Sequence, residues 1–161
     1  MVAARIGLMT LEELVGEQLM IALPGPVAGD TDIRLFEDTR AGGLILYRRN
    51  AESAAQLVSL LTTLEERLGR RLLVATDNEG GRVIMLREGV TVFPDNLAVG
   101  SAGDPLFASR QGQIEGRELR RLGIDLNLVE QFQVAQGAIQ LACENRAKID
   151  GLLGIVVKAD A

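Results

Sequence analysis

The sequence predicts an α/β protein built around a parallel sheet whose two faces are both covered. Short apolar runs of strand length alternate with longer amphipathic stretches five times along the chain. The runs are apolar throughout, which is typical of parallel strands buried on both faces. Hydrophobic residues make up 47% of the 161 residues but aromatic residues only 3%, so we expect a core of Leu, Ile, Val and Ala.

Five apolar runs are the predicted strands. Their continuous apolar character fits buried strands, and turn-forming residues bound them, such as Pro24, Gly25 and Pro26 after the first run. The predicted strands cover residues 18–23, 43–47, 71–76, 123–128 and 152–158.

The stretches between the strands carry helix-start signals and helical spacing. Thr10 and Glu13 form a capping box, in which each side chain accepts a hydrogen bond from the other residue's backbone N–H. We expect Asn50 to cap the third helix, Asp104 to begin the fourth, and Gly42 to lie near the end of the second. A short helix follows Thr10, and the other predicted helices cover residues 31–40, 51–69, 104–121 and 132–142.

Two architectures satisfy this alternation: an open doubly wound sheet, or part of a (β/α)8 barrel. A complete barrel needs about 250 residues and eight strands, so length alone favours the open sheet. There is no linker or low-complexity segment, and residues 1–161 are predicted to be a single domain.

Composition excludes several classes of function. The net charge is −5 and the pI is near 4.8, which argues against binding nucleic acid or an anionic membrane. The N-terminus lacks a secretory signal and no run approaches the roughly 20 apolar residues of a membrane span, so a cytoplasmic protein is expected. The absence of histidine excludes Ser-His-Asp and Cys-His catalysis and most zinc sites, and we predict neither a metal nor a cofactor.

One motif stands out at the end of the third strand. Asp77 and Glu79 precede Gly80 and Gly81, at the carboxyl end of a parallel strand, where such sheets place their ligand sites. In an extended segment the two carboxylates point to the same side, with Cα atoms about 6 to 7 Å apart. Such a pair could orient sugar hydroxyls, bind Mg²⁺ or transfer protons. A tight turn with two solvated carboxylates explains the same residues equally well.

Three segments resemble a known family in order and spacing. They read "GGLILYRRN" at 42–50, "VATDNEGGRVIMLREGVTVFP" at 74–94 and "EGRELRRLGIDLNL" at 115–128. Together they are similar to the N-terminal barrel domain of family 3 glycoside hydrolases, and most of all to the bacterial β-N-acetylhexosaminidases. The resemblance covers about residues 10–128, beyond which the chain diverges. It implies an incomplete (β/α)8 barrel of about four to five parallel βα units, shorter than the complete domain.

The resemblance also implies which residues bind substrate. Asp77 occupies the place of the family's sugar-binding Asp, and Lys158 that of a sugar-binding Lys. The match is incomplete, because the motif's last Arg corresponds to Met85 and a family His to Ala159. The segments that deliver the family's nucleophile and acid/base group have no counterpart here, and Asp77 with Glu79 are unsuited to replace them because they approach a ligand from one face. Whether this chain is an active glycosidase is therefore left open.

Three functions remain in view. The first is a family 3 glycosidase domain that keeps a contact to an N-acetylglucosamine-type sugar but is weak or inactive alone. The second is a non-catalytic carbohydrate-binding or barrel-completing subunit. The third is a Mg²⁺-dependent phosphate-handling protein that uses Asp77 and Glu79, although no phosphate-loop motif occurs. An incomplete barrel has exposed edges, so we also expect a homodimer.

Overall fold

The structure, a computed structural model, describes residues 8–129. These residues form four parallel strands joined by helices, in the βα alternation that the sequence predicts. The strands are β1 (Met20–Ala22), β2 (Gly43–Leu46), β3 (Leu73–Thr76) and β4 (Leu126–Asn127). The helices are α1 (Leu11–Gly16), α2 (Asp30–Thr39), α3 (Ala54–Leu68), α4 (Asn96–Ser101) and α5 (Pro105–Arg121). Within residues 8–129, no helix combines the length and apolar character needed to cross a bilayer.

The strand order is β1-β2-β3-β4, so each strand pairs with the next one along the chain. Ala75 marks the middle of the sheet, opposite Ile45 on one side and Leu126 on the other. A doubly wound sheet reverses its strand order at a switch point, whereas a barrel adds each strand in sequence. The described strands therefore have the order of a barrel segment, and the open-sheet alternative is not what the chain forms here.

The hydrophobic core lies on one face of this sheet. Leu44 and Leu46 of β2 and Val74 of β3 are buried there against side chains of α2, α3 and α5. The helices contribute Ile33, Phe36, Leu57, Leu60, Leu64 and Leu119. Because side chains alternate along a strand, Ile45, Leu73 and Leu126 lie on the opposite face, where they are only half-buried. The helices α2, α3 and α5 thus pack on one face, as in a barrel.

Two helix boundaries confirm the sequence prediction. The hydroxyl of Thr10 accepts a hydrogen bond from Glu13 N at 3.2 Å, and the Glu13 carboxylate accepts one from Thr10 N at 2.8 Å. Asp104 caps α5 by accepting a hydrogen bond from Leu106 N at 2.9 Å, with Pro105 at the first helical position. Short polar side chains thus satisfy the free N–H groups at both helix starts.

The predicted cap of α3 is wrong, whereas Gly42 lies near the end of α2 as expected. The cap of α3 is Ser53, whose hydroxyl accepts a hydrogen bond from Gln56 N, and Asn50 is instead fully buried. The second helix ends at Arg40, which takes the left-handed conformation at φ 54°. Gly42 lies beyond that cap, where a Cβ would come within 2.6 Å of the Glu17 carbonyl oxygen. Gly42 is therefore required for close packing and not for ending the helix.

Several predictions fall outside the described residues. The predicted helix at 132–142, the strand at 152–158 and Lys158 are among them, so the single domain over residues 1–161 stays a prediction. Within the described part, α4 is a short helix that was not predicted, and Asp95 caps it by accepting a hydrogen bond from Ala98 N at 2.8 Å.

Candidate functional site

Asp77 directly follows β3, at the carboxyl end of the sheet. Alternation along the strand places it on the same face as Ala75, away from the helices. The residue is half-buried and its Oδ1 atom is buried. The structure therefore puts this carboxylate at the end of the sheet where parallel α/β folds bind their ligands.

The two glycines after Glu79 form a tight turn. Val83 N donates to the Gly80 carbonyl at 3.0 Å, and Glu79 N donates to the Val83 carbonyl at 2.9 Å. Gly80 has φ 84° and Gly81 has φ 56°, in the left-handed region that favours glycine. Gly81 N also donates to the Phe93 carbonyl at 3.0 Å, which fixes the turn against the following loop. The tight turn expected from the sequence is therefore present. The carboxylates of Asp77 and Glu79 are half-buried, however, and not fully solvated as that hypothesis expected.

Glu79 connects this turn to α4. Its carboxylate accepts a hydrogen bond from the Asn96 side chain at 3.4 Å. Asn96 is the first residue of α4, and Asp95 caps that helix. The contact with Asn96 directs the Glu79 carboxylate towards α4. Glu79 therefore has a structural partner in addition to its predicted pairing with Asp77.

Asn78, between the two carboxylates, is the centre of a buried polar network. Its side-chain N–H donates to Glu115 of α5 at 3.0 Å, and its Oδ1 accepts hydrogen bonds from Met85 N and Leu86 N at 3.0 and 3.2 Å. Its backbone N–H and carbonyl bond to the side-chain amide of Asn127, each at 2.8 Å. These contacts bring together the ends of β3 and β4, the glycine turn and α5.

Glu115 is the one ionisable side chain of this network. It is 6% exposed, on the inner side of α5. Burial raises the pKa of the Glu115 carboxyl above its ordinary value, hydrogen bonds from Asn78 and Asn127 oppose that rise, and the charge of Glu118 adds to it. The sequence pattern alone predicted no role for Asn78, Glu115 or Asn127. The available signal was that Glu115 lies four residues before the core residue Leu119, on the same side of the helix.

The loops after β1 and β2 are tied to the same region. The Arg48 guanidinium donates two hydrogen bonds to the Ile84 carbonyl, at 3.1 and 2.9 Å. The side chain of Asn50 donates to the carbonyls of Leu23 and Gly25, at 3.0 and 2.8 Å. Three loops at the carboxyl end of the sheet are thus held in fixed relation, which gives Asp77 a rigid setting.

The arginine that the family motif places at its end is replaced by a hydrophobic side chain. Met85 is half-buried and packs against the core. The neighbouring Arg82 and Arg87 are both exposed. Among residues 8–129, no three His, Cys, Asp or Glu side chains cluster closely enough to hold a metal ion. The described site therefore offers acceptors for hydroxyl donors from Asp77, and Met85 adds no donor.

Comparison with known proteins agrees with this geometry. Residues 10–137 match the model of the glycosyl hydrolase family 3 N-terminal domain. A β-hexosaminidase from Thioalkalivibrio sulfidiphilus is 38% identical over 125 residues, which are 74% of this chain and 36% of that protein. The chain therefore spans about a third of that relative.

Solved structures give the same result. A family 3 β-N-acetylglucosaminidase from Paenibacillus sp. is 39% identical, with a TM-score of 0.69 over 74% of this chain and 23% of that one. NagZ from Neisseria gonorrhoeae, in complex with N-trifluoroacetyl-D-glucosamine, is 28% identical with a TM-score of 0.63. The match covers 68% of this chain and 34% of that one. These matches confirm the incomplete-barrel prediction and the family resemblance. The chain belongs to glycosyl hydrolase family 3, and it carries part of the barrel of that family's N-terminal domain.

Proposed function

We propose that this chain binds the terminal sugar of a β-linked N-acetylglucosamine-type glycoside through Asp77. The observation that carries the proposal is the place of Asp77, on a turn fixed by the polar network at the carboxyl end of the sheet. A carboxylate accepts hydrogen bonds from two hydroxyls, and such charge-assisted bonds are strong in a partly closed site. The choice of sugar rests on the relatives, which include a β-N-acetylglucosaminidase and a complex with a glucosamine derivative.

Binding without efficient hydrolysis is the activity that we propose for the chain alone. A retaining glycosidase needs a nucleophile and an acid/base group on opposite sides of the scissile bond. Asp77 and Glu79 are two residues apart on one loop, and Glu79 contacts Asn96 of α4. This pair does not supply two flanking groups, so catalysis requires residues other than these. From the family resemblance, we also propose Lys158 as a second sugar contact, with its ammonium group as donor.

Self-association is a further part of the proposal. Ile45, Leu73 and Leu126 are half-buried on the face of the sheet away from the helices, and β1 and β4 each have one neighbouring strand within the described sheet. An apolar face and open strand edges favour contact with another copy. We expect a homodimer by light scattering at micromolar concentration, and a stable monomer at the same concentration would contradict this part of the proposal.

The experiment that tests the function combines turnover and binding. The purified chain is incubated with an aryl β-N-acetylglucosaminide and, separately, titrated with N-acetylglucosamine, alongside Asp77→Ala and the control Asp38→Ala. Asp38 is exposed on α2, outside the polar network. We expect little or no release of nitrophenol, and saturable binding that Asp77→Ala weakens and Asp38→Ala leaves unchanged. Stabilisation by Mg²⁺ without sugar binding would instead favour the phosphate-handling alternative.

A further inference from the structure

The geometry points to Glu115 as a positioning residue that orients Asp77 by holding Asn78. This inference rests on the proposed function, because it takes Asp77 to be the group that contacts the sugar. Glu115 lies on α5, 38 positions further along the chain than Asp77, and accepts the hydrogen bond of Asn78 at 3.0 Å. A helix on the outer side of the sheet thereby acts on a loop at its carboxyl end.

The first step of the argument is that Asn78 has no freedom to rotate. Five hydrogen bonds reach it: two between its backbone and Asn127, one to Glu115, and two from the N–H groups of Met85 and Leu86. The residue is 3% exposed. Glu115 is required for this arrangement, because it accepts the amide N–H and so leaves Oδ1 of Asn78 directed at the backbone of the glycine loop.

The second step connects Asn78 to Asp77. The peptide that joins them contains the N–H of Asn78, which donates to Asn127 Oδ1 at 2.8 Å. Fixing this peptide fixes the direction in which the Asp77 side chain leaves the backbone. A carboxylate that is already oriented loses less conformational entropy when it binds, so affinity increases without any added contact to the sugar.

The third step is that a carboxylate at position 115 is otherwise unfavourable. Burying a charge in an apolar environment is costly unless hydrogen bonds compensate for it. Glu115 shares its side of α5 with the buried Leu119, where an apolar residue would pack well. The position of Glu115 is thus explained by its bonds to Asn78 and Asn127, and packing alone does not explain it.

The test compares three variants with the wild-type chain. Glu115→Met keeps the approximate volume but removes the acceptor, and Glu115→Gln restores an acceptor without the charge. Glu118→Ala is the matched control, since Glu118 lies one turn further along α5, is half-buried, and accepts hydrogen bonds from Thr91 at 2.6 and 2.8 Å and none from Asn78. The measurements are backbone hydrogen exchange at Met85 and Leu86, and titration with N-acetylglucosamine.

We expect Glu115→Met to increase exchange at Met85 and Leu86 and to weaken sugar binding about fivefold or more, as loss of a buried hydrogen bond implies. Glu115→Gln and Glu118→Ala should keep both properties near those of the wild type. Exchange within α3 reports whether each variant is folded. If Glu115→Met does not fold, Asn127→Ala removes the other two bonds to Asn78, and the same two effects are expected.

Unchanged hydrogen exchange at Met85 and Leu86 in Glu115→Met would overturn the inference, regardless of the measured sugar affinity. The same holds if exchange increases but the affinity stays that of the wild type. If the wild-type chain binds no sugar at all, the proposed function fails and the assignment of Asp77 fails with it. Increased exchange in that case would show only that Glu115 holds the loop, and positioning for sugar binding would be refuted.

Discussion

The side-chain amide of Asn50 lies 3.0 Å from the carbonyl oxygen of Leu23, and this bond joins the loop after β2 to the end of β1. The same amide donates to Gly25, and its oxygen accepts a hydrogen bond from Tyr47 N at 2.8 Å. Asn50 is 0% exposed, so these partners are protein groups in the interior. Asn50 therefore supplies three hydrogen bonds to these loops, and Arg49 adds one by donating to the Leu23 carbonyl at 2.9 Å.

We predict that Asn50→Ala lowers the free energy of unfolding by about 2 to 4 kcal/mol, because it removes three hydrogen bonds of a fully buried side chain. Urea denaturation followed by circular dichroism measures the change. Gln113→Ala, at an exposed position of α5, is the control and should change stability by less than about 0.5 kcal/mol. A loss at Asn50 no larger than that of the control would show that the loops are held in another way.

Two glycine-to-alanine substitutions should have opposite effects. Gly80→Ala places a methyl group at φ 84° against the carbonyls of Pro94 and Phe93, and we expect a loss of at least about 2 kcal/mol. Gly112→Ala lies within α5, where no atom beyond the helix's own backbone lies within 4 Å of the added Cβ. This substitution should stabilise the folded chain by about 0.5 to 1 kcal/mol. Thermal melts of both variants check the pair. Equal effects of the same sign would contradict the described turn.

Glu115 should make stability depend on pH. Its pKa is raised in the folded chain because the carboxyl is buried, so the folded state favours the protonated form. The resulting stability is fully present below the pKa of the unfolded chain and is lost as the pH rises through the raised folded pKa. We therefore predict that Glu115→Gln gains stability relative to the wild type as the pH increases from about 4 to about 8. Melting curves at several pH values measure this difference, and a constant difference would contradict the raised pKa.

Met85→Arg should strengthen sugar binding. The substitution restores the arginine of the family motif at a half-buried position next to the glycine turn. A guanidinium that donates to a sugar hydroxyl would improve affinity roughly tenfold, while the lost packing of Met85 lowers stability. Calorimetric titration measures the affinity, with Met85→Leu as the control that adds no donor. An arginine variant no tighter than the leucine variant would place position 85 outside the sugar site.

Hydrophobic periodicity was sufficient to predict the described strands and most of the helices. The apolar runs at 43–47 and 71–76 contain β2 and β3, and the leucines between residues 57 and 68 lie on the buried side of α3. These features depend on residues close together in the chain, which a sequence pattern records directly. The short helix α4 was missed because its six residues carry too little periodicity.

The polar part of the site was harder to predict because its partners are distant in sequence. Asp77 was predicted from its place after the third strand and from the family resemblance, yet Asn78, Glu115 and Asn127 were not predicted, since 37 and 49 residues separate their hydrogen-bonding pairs. Asn50 was expected to cap a helix, as asparagine often does locally, but its bonds to Leu23 and Gly25 place it in the interior instead. Strand order likewise depends on contacts between elements that are distant in sequence. The family resemblance predicted the barrel order, whereas chain length alone favoured an open sheet.

Contact between the Asp77 carboxylate and the sugar is tested by a calorimetric titration of Asp77→Asn with N-acetylglucosamine. This variant keeps the size of the side chain and removes its charge. Asp38→Asn serves as the matched control on an exposed surface. We predict saturable binding by the wild type and the control, and at least about tenfold weaker binding by Asp77→Asn, because charge-assisted hydrogen bonds are lost. Equal affinity in all three proteins would show that the Asp77 carboxylate does not contact the sugar.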